Sequence, residues 1–254
     1  MTRRDELLGS IAQVIEGLTN GQLDWVNQVV VQFGKWHEFT RLKSSDIVSE
    51  GTLQDFGDAL RVHHCFSSEA FSKDKFEYVL ERVSNLNGLN AGLAPKGNPG
   101  HDIVIEGVKF SLKTEAAKTV KLGSLHISKF MELGRGEWSD NEDDLIGLRQ
   151  RFFDHLCQYS RILTLRKLPT KLGSWSYELV EIPKDLLLEA KAGKLEMRFN
   201  SKQMPKPGYC YVKGADSEDK FQLYFDGGTE RKLQIKKLSK QYCVVHATWN
   251  FDTA

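Results

Sequence analysis

Apolar residues recur at helical spacing along the first part of the chain. Leu7, Leu8, Ile11, Val14, Ile15 and Leu18 form one stripe, and Leu23, Val26, Val29, Val30 and Phe33 a second, so residues 5–60 read as helical. Ser72 opens a third helix over 72–86, whose apolar face is Phe76, Val79, Leu80, Val83 and Leu86. The Asn-, Gly- and Pro-rich stretch 85–100 reads as a loop. Two short alternating segments follow around Glu106-Gly107, then another loop to about Ser124. A long amphipathic helix over 142–159 carries Leu145, Leu148, Phe152, Leu156 and Tyr159 on one side. Residues 162–165 read as a buried strand and 177–182 as another, after which Pro183 starts a helix that Gly193 ends. Five further strands are predicted at 195–199, 208–213, 220–225, 231–236 and 242–249. With no internal repeat and no interdomain linker, the pattern predicts one α/β domain over 1–254. Its parts are a helical N-terminal region of about 1–90, a hairpin at about 100–116 and a strand-rich region at about 161–254.

Composition narrows the class. At 254 residues, 40% hydrophobic and 27% charged, the chain is that of an ordinary globular protein and not of a disordered one. No apolar run approaches the ~20 residues of a membrane-spanning helix. The N-terminus leads into a mixed helix without an apolar signal core, so a cytoplasmic protein with no membrane partner is expected. Four scattered cysteines form no CxxC pair, which argues against a disulfide framework and a cysteine zinc site. A formal net charge of +1 excludes binding to DNA by bulk charge alone. Residues 1–160 carry 18 basic and 23 acidic groups, whereas 161–254 carry 17 and 11, which permits a localised phosphate-binding face on the C-terminal part.

The chemistry concentrates in residues 100–115, GHDIVIEGVKFSLKTE. Glu106-Gly107 suits a two-residue hairpin turn. The register then pairs Ile105 with Val108, Val104 with Lys109, Ile103 with Phe110 and Asp102 with Ser111. Because side chains alternate across a strand, one face holds Ile103, Ile105, Val108, Phe110 and Leu112. The other holds Asp102, Val104, Lys109, Ser111, Lys113 and Glu115. Diagonal neighbours lie within reach of long side chains, so Asp102, Lys113 and Glu115 share a rigid polar face. Two carboxylates and an ammonium so placed can bind Mg²⁺ and position a water, as in-line attack on a phosphodiester requires. On spacing alone, a solvated polar face accounts for the same residues.

Longer blocks decide between these. The hairpin resembles the PD-(D/E)xK nuclease core, with Asp102 as the first acid and Lys113 as the lysine. More narrowly, the chain is similar to a type II restriction endonuclease family. The similarity is carried by Asn98-Pro-Gly-His-Asp-Ile, Leu112-Lys-Thr-Glu-Ala-Ala-Lys118, Met131-Glu-Leu-Gly-Arg-Gly-Glu-Trp138, Leu179-Val-Glu-Ile-Pro-Lys, Leu186-Leu-Leu-Glu-Ala-Lys191, Lys202-Gln-Met-Pro-Lys-Pro-Gly-Tyr209 and Tyr224-Phe-Asp-Gly-Gly-Thr-Glu-Arg-Lys-Leu-Gln-Ile-Lys236. These blocks run in order over nearly the whole chain. The resemblance implies a restriction-endonuclease-like core, a mixed central β-sheet flanked by helices, and Mg²⁺-dependent cleavage of both strands of duplex DNA at a short GC-rich palindrome, CCCGGG. It also implies a homodimer and a cognate methyltransferase in the host.

Two departures from the core motif matter. Pro99-Gly-His-Asp102 replaces the Pro-Asp dipeptide, and Ser111 replaces the second acid, so another carboxylate must complete the metal shell. Glu115 is the first choice because it shares the face. Glu77 is the second, since cores of this type often add an acid from the preceding helix; Glu132 and Glu81 trail. The Leu112 carbonyl is a further candidate metal ligand. Candidate DNA contacts are Arg135, Lys202, Lys206, Arg231 and Lys232, in the matched blocks or the basic C-terminal part, since Arg and Lys are the usual partners of guanine O6 and N7. His63-His64-Cys65 has no partner pair at zinc spacing and reads as packing at a helix end, and His101 beside Asp102 faces the opposite side of the strand and reads as packing, not as a general base. No dinucleotide or P-loop fingerprint occurs, and the aromatic residues of the helices read as core. Rival readings are a structure-selective or repair nuclease on the same core, and a catalytically inactive DNA-binding module.

Overall fold

The period-2 alternation of the C-terminal half builds two sheets that share a core. The computed structural model describes residues 2–95, 97–98, 100–134, 138–214 and 218–253. Along the chain run α1 (Arg3–Ile15), α2 (Asn20–Gly34), β1 (His37–Arg41), α3 (Glu50–Phe66), α4 (Lys73–Leu86), β2 (Ala91–Leu93), β3 (Ile103–Ile105), β4 (Val108–Glu115) and β5 (Ser124–Glu132). Then come α5 (Asp144–Leu156), β6 (Arg161–Lys167), β7 (Ser174–Glu181), α6 (Lys184–Leu188), β8 (Lys194–Met197), β9 (Gly208–Lys213), β10 (Asp219–Asp226), β11 (Lys232–Ser239) and β12 (Val244–Asp252). A seven-stranded sheet has the order β1-β12-β7-β6-β4-β3-β2, and a five-stranded antiparallel sheet the order β5-β11-β10-β9-β8. Only β4 and β6 pair in parallel within the larger sheet, which makes it mixed. The fold class expected from the sequence is therefore the one observed.

Alternation on β6 and β7 divides the interior into two cores. Leu163, Leu165 and Leu179 face α3 and α4, with Phe56, Leu60, Phe76 and Leu80 against them. Ile162 and Val180 face the other way, into a core closed by α5 and the five-stranded sheet through Phe152, Phe221, Leu223 and Leu233. Helix α3 lies close on the large sheet because residue 57 is glycine: a Cβ there would meet the Phe39 ring at 2.2 Å. The α4 start is the one expected, with Ser72 Oγ accepting the Lys75 N–H.

Four features depart from the sequence reading. Residues 37–41 are strand β1, paired with β12, within the span expected to be helical. Strand β5 occupies a stretch to which the pattern assigned no element, and β2 lies inside the predicted 85–100 loop. The aromatic residues of α2 are not core: Trp25 and Phe33 face solvent.

His63 and His64 belong to the packing of α3. Their rings touch, with centroids 4.6 Å apart, so adjacency does not separate them. His64 stacks on Trp175, receives or donates at Nδ1 with the Ser67 carbonyl, and meets Tyr177 Oη at 2.9 Å through Nε2. Burial pushes its imidazole down to about 4 from an ordinary 6.5. The unfolded chain thus takes up this proton before the folded one does. The stability contributed here is complete above pH 6.5 and is lost as pH falls toward 4, by up to about 1.4 kcal/mol per pH unit. Urea midpoints of the protein and of His64→Gln are expected to converge through that window; parallel curves would refute it.

Candidate active site

The catalytic hairpin forms in the register its alternation dictates. Ile103 pairs with Phe110, Val104 with Lys109 and Ile105 with Val108. Glu106 and Gly107 both have positive φ, 49° and 77°, as a type I′ turn needs. Glu106 is held there by its backbone N–H to the Asn90 carbonyl, 2.9 Å away. The apolar face of the hairpin is buried, and its polar face turns toward the five-stranded sheet.

Asp102 precedes β3, and its carboxylate accepts from three sides. The Leu112 N–H donates to Oδ2 at 2.6 Å, Ser111 Oγ donates to the same oxygen at 3.3 Å, and Lys73 Nζ donates to Oδ1 at 2.7 Å. Lys73 is the first residue of α4, and its ammonium also reaches Glu77, one turn on, at 3.1 Å. The start of α4 therefore delivers a cation and a second carboxylate to Asp102. Burial raises the Glu77 carboxyl above its ordinary range, opposed by Lys73 and assisted by the negative charge of Asp102. For Lys73, burial acts to lower the ammonium, but its hydrogen bonds to Asp102 and Glu77 outweigh this and hold it above its ordinary value.

Lys113 points to the same side from β4 and is only 9% exposed. Its Nζ sits 5.3 Å from the centroid of the Phe130 ring on β5. Burial pushes the ammonium down to about 8, against the attraction of Asp102. Lys73, Asp102, Ser111 and Lys113 line a cleft of about 880 Å³, whose far wall is β5 and α5, including Arg151 and His155. Burial, with the nearby Lys113 charge, pushes His155 down to about 4. Its Nε2 and the Tyr159 hydroxyl are buried there without a hydrogen-bond partner among the described residues.

Glu115 is placed elsewhere. Its Oε2 accepts from Arg166 Nε at 2.5 Å and its Oε1 from the His126 N–H at 2.9 Å, so both oxygens are engaged in a buried ion cluster. The structure thus joins Asp102, Lys113 and Glu77 and leaves Glu115 out. The reason is the parallel pairing of β4 with β6, which sets Arg166 directly opposite Glu115. Glu81 accepts the Leu93 N–H, and Glu132 sits on the cleft rim paired with Lys129 at 2.8 Å. His101 meets the Asn98 side chain at 3.2 Å. Lys73 is the residue the sequence reading missed. Its signal was available in the i, i+4 spacing to Glu77 on a helix opened by Ser72, whereas Phe130 and His155 reach the site only through tertiary contacts.

Among the described residues no three His, Cys, Asp or Glu side chains stand close enough to cage a metal by themselves. Two hard carboxylates bridged by a single ammonium nevertheless suit a cation that keeps waters and shares substrate oxygens, the habit of Mg²⁺.

Of the candidate DNA contacts, Arg135 lies outside the described residues. Lys206 and Arg231 meet at Trp138: the indole N–H donates to the Lys206 carbonyl at 2.9 Å, and the Arg231 guanidinium lies 6.0 Å from the ring centroid. Lys232 pairs with Glu230, which also holds Lys129 of the cleft rim. Lys202 is exposed ahead of β9.

A mixed central sheet flanked by helices, with an acid and a buried lysine on one hairpin lining the same cleft, fits a restriction-endonuclease-like fold. Over residues 11–251 the chain matches the family described as SmaI, type II site-specific deoxyribonuclease. It is 44% identical over 252 residues to the type II restriction enzyme SmaI of Serratia marcescens, covering 99% of this chain and 98% of that one. The chain belongs to this family of type II site-specific deoxyribonucleases and is a restriction endonuclease.

Removing Glu115 leaves the buried Arg166 Nε unpaired and one buried positive charge of the cluster uncompensated, so Glu115→Ala is expected to destabilise the fold by about 3–5 kcal/mol. A urea midpoint unchanged from the parent would show that the pair is not structural.

Proposed function

We propose that the enzyme cleaves both strands of duplex DNA at CCCGGG, with Asp102 and Glu77 holding Mg²⁺ and Lys113 acting on the attacking water. One observation carries this reading: Lys73 bridges Asp102 and Glu77, and Asp102 lines one cleft together with Lys113. The PD-(D/E)xK pattern is then completed from α4, while Ser111, at the place of the strand-borne acid, steadies Asp102. Glu115 passes to a structural role because both its oxygens are taken. The Leu112 carbonyl is a third proposed ligand, and the N–H of the same residue already fixes Asp102.

When bound, Mg²⁺ supplies positive charge to the scissile phosphate. Lys113 Nζ, weakened as an acid–base pair only to about 8, holds the attacking water and donates to the charge that builds on the phosphate oxygens. The Phe130 wall limits the water that can compete at that nitrogen. The products carry 5′-phosphate and 3′-hydroxyl ends. Lys206 and Arg231 around Trp138, with Lys202, Lys232 and Arg135, are the proposed contacts to phosphates and guanine edges. A palindromic site has twofold symmetry, so a homodimer with one cleft per strand is the natural reader. Among the described residues no helix is long and apolar enough to cross a membrane. A cytoplasmic setting beside a cognate methyltransferase completes the proposal.

Digestion of a fully sequenced plasmid, with Mg²⁺ and with chelator, followed by sequencing of the ends, tests this. Discrete fragments ending within CCCGGG are expected only with Mg²⁺. Lys113→Ala is expected to slow cleavage by about 10²–10⁴-fold, and Glu77→Ala to abolish it while keeping the parent melting temperature. Ends outside that sequence would reject the specificity, and full activity in Glu77→Ala would reject its place in the metal shell.

A further inference from the structure

The first two helices carry apolar side chains that no described residue buries, although Trp25 of α2 meets the Phe66 ring of α3 at 4.8 Å. Helix α1 buries none of its residues, and α2 buries only Gln32. Yet α1 is amphipathic with a seven-residue rhythm. Leu7 and Val14 recur at one position, Leu8 and Ile15 at the next, Ile11 and Leu18 at a third. Leu7, Leu8, Ile11 and Val14 are 55–58% exposed, and on α2 Trp25 and Val30 are 62% and 61% exposed.

An isolated helix of 13 residues is marginal in water. The capping box of Thr2 with Asp5 satisfies its first turn but contributes only about 1 kcal/mol. Its persistence therefore calls for a partner against the apolar stripe. Helix α2 is fixed to the body from its other side. Gln32 Nε2 donates to the Asp252 carbonyl at 2.7 Å, Lys35 Nζ to the Thr253 carbonyl at 2.5 Å, and Arg61 Nη2 to the Gln32 carbonyl at 2.5 Å. Its outward apolar side is thus held in place by buried hydrogen bonds and is not a loose end.

Size and charge select the occupant. A dozen large apolar side chains at about half exposure present on the order of 1,000 Å², taking roughly 100 Å² for half of each. The largest apolar patch on a typical monomer is about 300–600 Å², and one partner of a stable dimer contributes about 800 Å². The charge of residues 1–36 is nearly balanced, Arg3, Arg4 and Lys35 against Asp5, Glu6, Glu16 and Asp24. That composition neither attracts phosphates or an anionic bilayer nor repels its own copy. A twofold interface uses the same patch on both subunits, which an apolar and nearly neutral surface meets without modification.

We infer that the α1–α2 surface is the subunit interface, where two copies pack four helices against one another. This rests on the homodimer reading above and names its surface. Sedimentation of the full chain and of Ile11→Glu and Val30→Glu variants tests it, with Phe199→Glu, exposed on the β8–β9 connection of the five-stranded sheet, as the control. The parent and the control are expected to sediment as dimers at micromolar concentration, and the two interface variants to self-associate at least 100-fold more weakly. Because no residue of α1 is buried in its own chain, Ile11→Glu is expected to lose at most the circular dichroism of those 13 residues and to keep that of the body. On supercoiled plasmid the dimers are expected to give linear product directly and the variants to accumulate nicked circles. Dimeric interface variants, or a parent that stays monomeric while cutting DNA, would overturn the inference and leave the catalytic reading standing. A dimeric parent that does not cut DNA under any metal condition would instead sink the catalytic reading alone.

Discussion

The fully buried guanidinium of Arg166 ties the two sheets together. Its Nε donates to Glu115 on β4, its Nη1 to Glu178 on β7, and its Nη2 to the Lys121 and Ser124 carbonyls that lead into β5. Lys240, following β11, adds a second cation at 3.0 Å from Glu178. Two cations and two carboxylates balance, and each polar group has a partner. That completeness is required, because a buried charge short of partners costs several kcal/mol. One side chain on β6 thereby ties three neighbouring strands of the large sheet to the first strand of the small one. The position of Phe130 over Lys113 follows from that tie, and with it the low proton affinity of the lysine.

The same cluster keeps Glu115 away from Asp102. Glu115 has the right parity on β4, but its charge is spent on Arg166. The carboxylate that reaches Asp102 must then approach from the open side of the hairpin, where the first turn of α4 lies. Lys73 compensates the repulsion between Asp102 and Glu77 and so allows two acids to stand in one half-buried place. Ser111 contributes a hydrogen bond to Asp102.

Catalytic and associative surfaces draw on different residue types. The cleft is lined by charged groups from β4, β5, α4 and α5, whereas the N-terminal helices present an almost uncharged apolar face. The dimeric nuclease proposed above would use both kinds of surface, one to hold phosphates and one to hold its copy. Separating them keeps apolar side chains away from a site whose electrostatics depend on a few buried charges.

Much was legible in the sequence because it depends on local period. The hairpin register of Asp102 and Lys113, the Ser72 start of α4, the helix ended by Gly193 and the C-terminal strands all follow from alternation, capping and turn chemistry. Asp102 and Lys113 could be placed on one face for the same reason. Strand β1 was hidden because five residues at a sheet edge carry too little pattern beside the helices around them. Periodicity also predicted apolar stripes on α1 and α2 correctly, but a stripe states only that a face is to be covered, not by which molecule. The choice between Glu77 and Glu115 was beyond any local rule. It turned on the parallel pairing that sets Arg166 opposite Glu115, a contact between residues 51 positions apart. Local pattern fixes which face a side chain occupies, and only the packing of distant strands and helices decides which charge it meets there.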